Sequence, residues 1–379
     1  MKKIIILTIS LIFLCTGCTY SEINDLAIAN SVGIDYEDGI YTITLQIMDL
    51  NTENNRSSNI EENTLMYVGK GNSIPTAIRN ISLKYPNTVY LGHLELMVIG
   101  KGMVEYNIEK TFDYFMRSPE ARSETYLLIS TKYKANEILD TNNENKESFP
   151  TKDIITTIEN STKRNGRINE VSMEDFIATN LKKGIDPIVP VIKESKNPNK
   201  DFKNTKIIGM SVFKNNKLID ILDDKAIIAY NIINNNYQDI IINTKYKDDK
   251  ATIILINPKN NFKVKVNDNK LNIYININTD AYLVDGNNIE LTDDKTLKIL
   301  EDSLNTELKK YVDSLISFSK ISKTDILGVK NKIYKFYTNK YDLYKNSNVY
   351  ESANIKVNTN AKLFRYGNSN TGNYGGHNE

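Results

Sequence analysis

The first eighteen residues constrain this chain more than any other stretch. Lys2 and Lys3 give a positive start, and Ile4 to Leu14 form an apolar run broken only by Thr8 and Ser10. A helix needs about 20 apolar residues to cross a ~30 Å hydrocarbon core, so a run of about 11 reads as the h-region of a secretory signal and not as a span. The run ends in Cys15-Thr16-Gly17-Cys18. Both cysteines of the chain lie here, so the body that follows has no disulfide and no thiol chemistry.

Small Thr16 and Gly17 just before Cys18 resemble the lipobox of bacterial lipoproteins, with Cys15 where Leu is usual. The resemblance implies that residues 1–17 are a lipoprotein signal peptide. Cys18 would then carry a diacylglyceryl group and become the first mature residue. Two acyl chains suffice for stable anchoring, since each buried methylene adds ~0.8 kcal/mol and a single chain is marginal. The expectation is a hydrophilic body tethered to the outer face of a membrane. An ordinary cleaved signal with a chance cysteine is the plainer alternative.

The body has ordinary globular composition. Of 379 residues, 25% are charged and 40% hydrophobic, enough for two or three domains. Lys and Arg total 48 against 47 acids, a net charge of +1 with no basic patch, so nucleic acid is not an expected partner. With His93 and His377 the only histidines, zinc sites built from His and Cys are nearly excluded, and no cofactor is expected.

Along the chain, Ile40 to Asp49 alternates as a half-buried strand after the turn Glu37-Asp38-Gly39. Asn51 to Glu62 reads as a loop. Ser73 caps a helix with Pro75 in its first turn and the stripe Ile74, Ala77, Ile78, Ile81. Val89 to Ile99 is a strand pair or one strand. Gly102 to Arg117 reads as a single helix with Val104, Ile108, Phe112, Phe115 and Met116 on one face. Ser172 with Asp175 resembles a capping box. Pro190 limits Ile188 to Ile192 to an edge strand.

Glu194 to Asn204, rich in Lys and Asn, is the expected domain boundary. The expected domains are 18–200, α/β, and 201–366, α+β, with a β-rich part about 238–284 and a disordered tail at 367–379. The second half opens on a hairpin turning at Asn215-Asn216. Thr292 to Phe318 is the longest helix, striped by Leu297, Leu300, Leu304, Leu308, Tyr311 and Leu315. Ala353 to Leu363 alternates as a closing strand. The fold class is α+β and multi-domain, with mixed sheets, helices packed on them, and that closing strand antiparallel after the long helix.

Chemistry is sparse. Motifs for zinc proteases, serine hydrolases and phosphate loops are absent. His93 and Glu95 alternate onto one face and suggest a proton relay, but a structural polar pair is the simpler reading because no nucleophile stands beside them. Asp223-Asp224 and Asp293-Asp294 read as helix caps, and Asn267-Asp268-Asn269 as a turn. Tyr334, Phe336, Tyr337, Tyr341 and Tyr344 form an aromatic cluster, at a core edge or an interface.

Taken in order, several segments resemble the Ger(x)C family of spore germination lipoproteins, the C subunits of nutrient germinant receptors. They are Cys18, Glu22 to Ala29, Val32-Gly33-Ile34-Asp35, Ala77 to Ser82, Gly92-His93-Leu94-Glu95, Val98-Ile99-Gly100, Phe112 to Glu120, Gly209 to Lys214 and Lys323 to Gly328. The chain departs from the pattern in having no tryptophan. The resemblance implies an α+β body of about three subdomains on the outer face of the spore's inner membrane. It implies no enzymatic activity, no cofactor, no metal, and two integral membrane partners, an A and a B subunit. The alternative is an extracytoplasmic solute-binding or cell-wall-hydrolysing lipoprotein, marked by a tight pocket or by two carboxyls facing across a groove.

Overall fold

A computed structural model describes residues 26–48, 64–140, 150–196, 203–247, 249–286, 289, 291 and 293–364. The signal segment with Cys18, the loops expected at 51–62 and 141–149, and the tail at 367–379 lie outside the described residues.

Two mixed sheets carry the chain. The first begins with β1 (Leu26–Glu37), which turns through Asp38-Gly39 into β2 (Ile40–Met48). Both turn residues have positive φ, the type I′ geometry that suits the twist of a two-residue hairpin. β3 (Thr64–Gly71) pairs antiparallel with β2. On the other side of β1 lie β4 (Thr88–Tyr90), β5 (Leu96–Ile99), β6 (Tyr126–Ile129) and β7 (Ile188–Lys196). β1, β5 and β6 run parallel, and β5 and β6 are continuous apolar runs, as suits strands buried on both faces. β8 (Lys203–Lys214) and β9 (Lys217–Ile221) close the sheet antiparallel, joined by Asn215-Asn216, again both at positive φ.

Helices cover this sheet. α1 (Ile74–Ile81) is capped by Ser73, whose Oγ accepts from the Thr76 N–H at 3.3 Å, and buries the expected stripe. The helix expected over 102–117 is two, α2 (Lys101–Tyr106) and α3 (Glu109–Arg117). Asn107 breaks it: its backbone is extended and its Oδ1 takes the Glu109 N–H at 2.9 Å, so a side chain replaces one helical carbonyl. The new phase leaves Met116 exposed. α4 (Ala135–Leu139) packs on β1 and β5, and α5 (Pro150–Asn160) and α6 (Met173–Leu181) follow. Ser172 and Asp175 make the reciprocal capping box of α6. Phe112, Phe176 and Phe213 then form a ring chain, with centroids 5.2 and 5.5 Å apart, from α3 through α6 to β8.

The sheet passes across the expected boundary near residue 200. β7 and β8 lie on either side of it and are antiparallel neighbours from Ile188↔Val212 to Lys196↔Lys203. β7 is also internal, not an edge. Pro190 is tolerated because β7 meets β6 at one residue pair, Ile129↔Val191, so few ladder donors are called for on that side.

α7 (Asp224–Ile233) leads to the second sheet and contacts both β8 and β13. Seven of its ten residues are buried. The second sheet holds β10 (Ile240–Tyr246), β11 (Asp249–Ile256), β12 (Asn261–Asn267), β13 (Lys270–Asp285) and β14 (Asn354–Leu363). α8 (Asp294–Ser322) lies against β10, β14 and α7, burying Leu300, Leu304, Leu308, Val312 and Leu315. α9 (Val329–Phe336) and the short α10 (Tyr341–Tyr344) and α11 (Val349–Ser352) bring the chain back. β14 therefore pairs parallel to β13, from Asn272↔Asn354 to Ala281↔Leu363, and the antiparallel expectation is corrected. The reason is geometric. A 29-residue helix runs back along the sheet, so the next strand starts at the same end as β13.

Asp35 and Gly100 meet where β1 and β5 end. Asp35 is buried, and its carboxylate accepts the Ala135 N–H at 2.8 Å and the Asn136 N–H at 3.3 Å, capping α4 from a different element. Burial raises its pKa, partly opposed by those two N–H groups. Gly100 lies against this carboxylate, and a Cβ there would collide with Asp35 Oδ1 and the Ala135 backbone. Gly100→Ala is expected to displace the carboxylate and destabilise the chain by roughly 2–3 kcal/mol, read as a lower urea midpoint at unchanged slope. A stability within a few tenths of a kcal/mol of the parent, on the order of the error of the extrapolation, would show that the contact is soft.

Candidate functional site

The acidic pairs singled out in the sequence are structural. Asp223 accepts the Ala226 N–H at 2.8 Å as the cap of α7, and its other oxygen accepts from Ser314 Oγ on α8 at 2.8 Å. Asp293 accepts the Thr296 N–H at 2.6 Å as the cap of α8, and that bond holds its pKa below the usual range. His93 lies in a turn between β4 and β5, exposed, with its ring 5.9 Å from that of Tyr90. It is not on a strand with Glu95, so the expected relay face does not form. Among the described residues no group of three His, Cys, Asp or Glu is placed to hold a metal. In the aromatic cluster Tyr334 and Tyr341 meet edge to face at 5.1 Å and Tyr344 is buried, while Phe336 is 73% exposed.

The densest polar constellation joins the two halves of the chain. Asp325 follows α8 and is 2% exposed. Its Oδ1 accepts from the Val329 N–H at 2.9 Å and from the Tyr350 hydroxyl at 2.8 Å. Its Oδ2 accepts from the Lys330 N–H at 2.7 Å, so the carboxylate caps α9. Its own N–H donates to Asp186 Oδ2 at 2.6 Å, and its carbonyl accepts the Asp186 N–H at 3.0 Å. Asp186 sits just before β7, so these bonds tie the first sheet to the start of α9. One turn on, Asn331 donates its N–H to Gly184 O at 2.9 Å and its Nδ2–H to Lys183 O at 2.8 Å. Gly184, at φ +77°, has no room for a side chain: a Cβ would lie 2.5 Å from Lys330 Cβ and 2.8 Å from Asn331 N. Sequence reading placed Asp325 in a family-like segment but gave it no role. A lone Asp three residues before Gly328 is signal for a turn, not for a junction.

Electrostatics follow from the burial. Desolvation pushes the Asp325 pKa up to about 6 despite its three donors, and raises that of Asp186 for the same reason. The Tyr350 hydroxyl is held protonated by burial and by the Asp325 charge, so it stays a donor. Lys330 is depressed by desolvation, with Asp325 pulling the other way.

A pocket of about 530 Å3 opens at the other end of the first sheet. Glu95, Glu124 and Glu159 line it with Arg122 and Lys152. Tyr126 donates to Glu159 at 2.8 Å, and burial, then Glu159, raises its pKa. Asn30 is 2% exposed and its Oδ1 has no partner among the described residues. The lining can hold a small polar molecule by charges of both signs.

Comparison with known proteins gives a consistent result. Residues 19–194 match the family model described as the spore germination protein N-terminal domain. Residues 208–367 match the one described as spore germination B3/GerAC like, C-terminal. The putative spore germination protein YfkR of Bacillus subtilis (strain 168) is 26% identical over 373 residues, covering 94% of this chain and 95% of that protein. Spore germination protein KC of the same organism is 24% identical, covering 86% and 85%. The crystal structure of the GerBC protein superposes with a TM-score of 0.57 at 16% identity, over 88% of this chain and 97% of that one.

The buried carboxylate makes a pH prediction. An acid whose folded pKa lies above its unfolded value of 3.8 keeps its proton longer in the folded state. Its contribution is therefore most favourable below pH 4 and is lost as pH rises through about 6. A shift of roughly two units corresponds to roughly 3 kcal/mol. The stability of the parent minus that of Asp325→Asn is expected to fall by about that amount between pH 4 and pH 6.5, followed by urea unfolding. A difference independent of pH in that window would mean that Asp325 is already ionised throughout.

Proposed function

The chain belongs to the Ger(x)C family of spore germination proteins, and from that premise we propose that it is the lipid-anchored, non-enzymatic C subunit of a nutrient germinant receptor. In this reading it acts with integral membrane A and B subunits at the outer face of the spore's inner membrane. The observation that carries the reading is that two germination-family models fit end to end over residues 19–194 and 208–367. The site geometry supports the non-enzymatic part, because Asp35, Asp223, Asp293 and Asp325 are all spent on helix N-termini.

Anchoring through Cys18 supplies the physical mechanism. Seven residues separate Cys18 from the first strand at Leu26, a reach of at most ~28 Å when fully extended. A body so tethered is confined to a thin layer beside its partners, which raises its effective concentration without any new contact. Among the described residues no helix is long and apolar enough to cross a membrane.

Cys18→Ala tests the reading. The variant is expected to incorporate no palmitate label, to keep the parent's circular dichroism and melting, and to impair nutrient-triggered germination. Normal acylation, or normal germination by an unacylated protein, would overturn it.

A further inference from the structure

β14 is an edge strand of the second sheet, and α8 runs alongside its free edge. Over the last third of the strand that edge is closed by side chains. Asn305 acts as a substitute strand: its Oδ1 accepts the Ala361 N–H at 2.8 Å and its Nδ2–H donates to Ala361 O at 3.2 Å. One turn earlier on α8, Glu301 accepts the Leu363 N–H at 2.9 Å. The next residue, Phe364, points its N–H the other way, to Ala281 O on β13 at 2.8 Å. Odd-numbered residues of β14 therefore present their backbone to the free edge and even-numbered ones to β13.

By that period Ile355 and Val357 also turn an N–H and a C=O toward the edge. There the helix stands off. A groove of about 420 Å3 opens between α8 and β14, lined by Lys309, Asp313, Ile316, Lys320, Ile355 and Val357. Ile355 and Val357 are only half-buried, although the alternation that buries Ala361 and Leu363 points them inward too. Lys309 and Asp313 continue the stripe of Glu301 and Asn305 at four-residue spacing. Neither side chain has a hydrogen bond or ion pair to a described residue. The same edge is thus plugged at one end and left open at the other, with an apolar floor and unpaired charges beside it.

We infer that this groove is a β-augmentation site that takes an extended segment of another polypeptide, apolar at alternate residues and carrying carboxylates to meet Lys309 and Lys320. Free N–H and C=O groups at strand spacing are the complement of a strand and of little else. Two cations against one anion set the sign of the segment. The chain's own last fifteen residues, 365–379, are rich in Gly and Asn and lack an alternating apolar pair, so they do not fit this description. The inference does not depend on the receptor assignment.

The test uses the full chain and a synthetic peptide of alternating valine and threonine with glutamates at both ends, beside one with lysines at both ends. Amide exchange is followed residue by residue. In the isolated protein the Ile355 and Val357 amides are expected to exchange fast and those of Lys356 and Asn358 slowly. The acidic peptide should slow Ile355 and Val357 by roughly tenfold or more, and the basic peptide much less. Val357→Pro removes only an edge-facing N–H and should abolish the effect. Lys309→Glu with Lys320→Glu, both on the helix surface, should reverse the preference in favour of the basic peptide. Protection of both amides in the isolated monomer, protection that grows with protein concentration (a second copy on the edge), or equal binding of both peptides would each overturn the inference.

Discussion

One buried carboxylate fixes how the two sheets stand to each other. Asp325 takes three donors from α9 and from Tyr350, and meets Asp186 beside β7 twice: its N–H donates to the Asp186 carboxylate and its carbonyl accepts the Asp186 N–H. Removing its side chain would strand three buried donors, at a cost of about 1–3 kcal/mol each. An apolar contact of the same area could be as stable. It would not be directional. Hydrogen bonds to two successive backbone N–H groups of α9 set both the position and the rotation of that helix on the first sheet. Gly184 makes the arrangement possible, since any side chain there would wedge the junction apart.

The same device appears in the first sheet. Asp35 on β1 caps α4 from across the fold, and Gly100 clears the space for it. Asp223 caps α7 and bonds to Ser314 on α8. In each case a helix start is satisfied by a carboxylate whose position depends on another element. Local capping and tertiary packing therefore rise and fall together. Bonded, such groups hold geometry; unbonded, Asp35 and Asp325 would each be a buried carboxyl without a partner.

What the sequence made legible was local. Asp38-Gly39 and Asn215-Asn216 announced their turns because positive φ is tolerated by few residues, and Ser73, Ser172, Asp223 and Asp293 announced their helices because few side chains cap. The apolar stripes of α1 and α8 were readable for the same reason, since period and burial coincide. What failed was non-local. Pro190 argues for an edge in any strand read alone, and only the single pairing to β6 shows why an internal place is allowed. The direction of β14 is written nowhere in its alternating pattern, because parallel and antiparallel pairing bury the same face. Asn107 looks like an ordinary helix residue until its side chain is seen to replace a carbonyl. The candidate site was legible as a set of family-like segments, and illegible as a mechanism: Asp35 and Asp325 are 290 residues apart in sequence and do the same job, one on a strand and the other in the turn before α9.

The closing strand keeps one edge partly open. A fully exposed edge is a hazard, since any chain with a spare strand can pair with it. Closing the whole edge with side chains removes the risk, and α8 has the length and register to do so. At Glu301 and Asn305 it does; four and eight residues further on, Lys309 and Asp313 occupy the equivalent places and leave the backbone of Val357 and Ile355 unmatched. A lysine cannot accept the N–H that Asn305 accepts, and its charge selects against any approaching strand that is itself basic. The edge is thereby restricted in length and in charge, which is what separates a recognition surface from a sticky one.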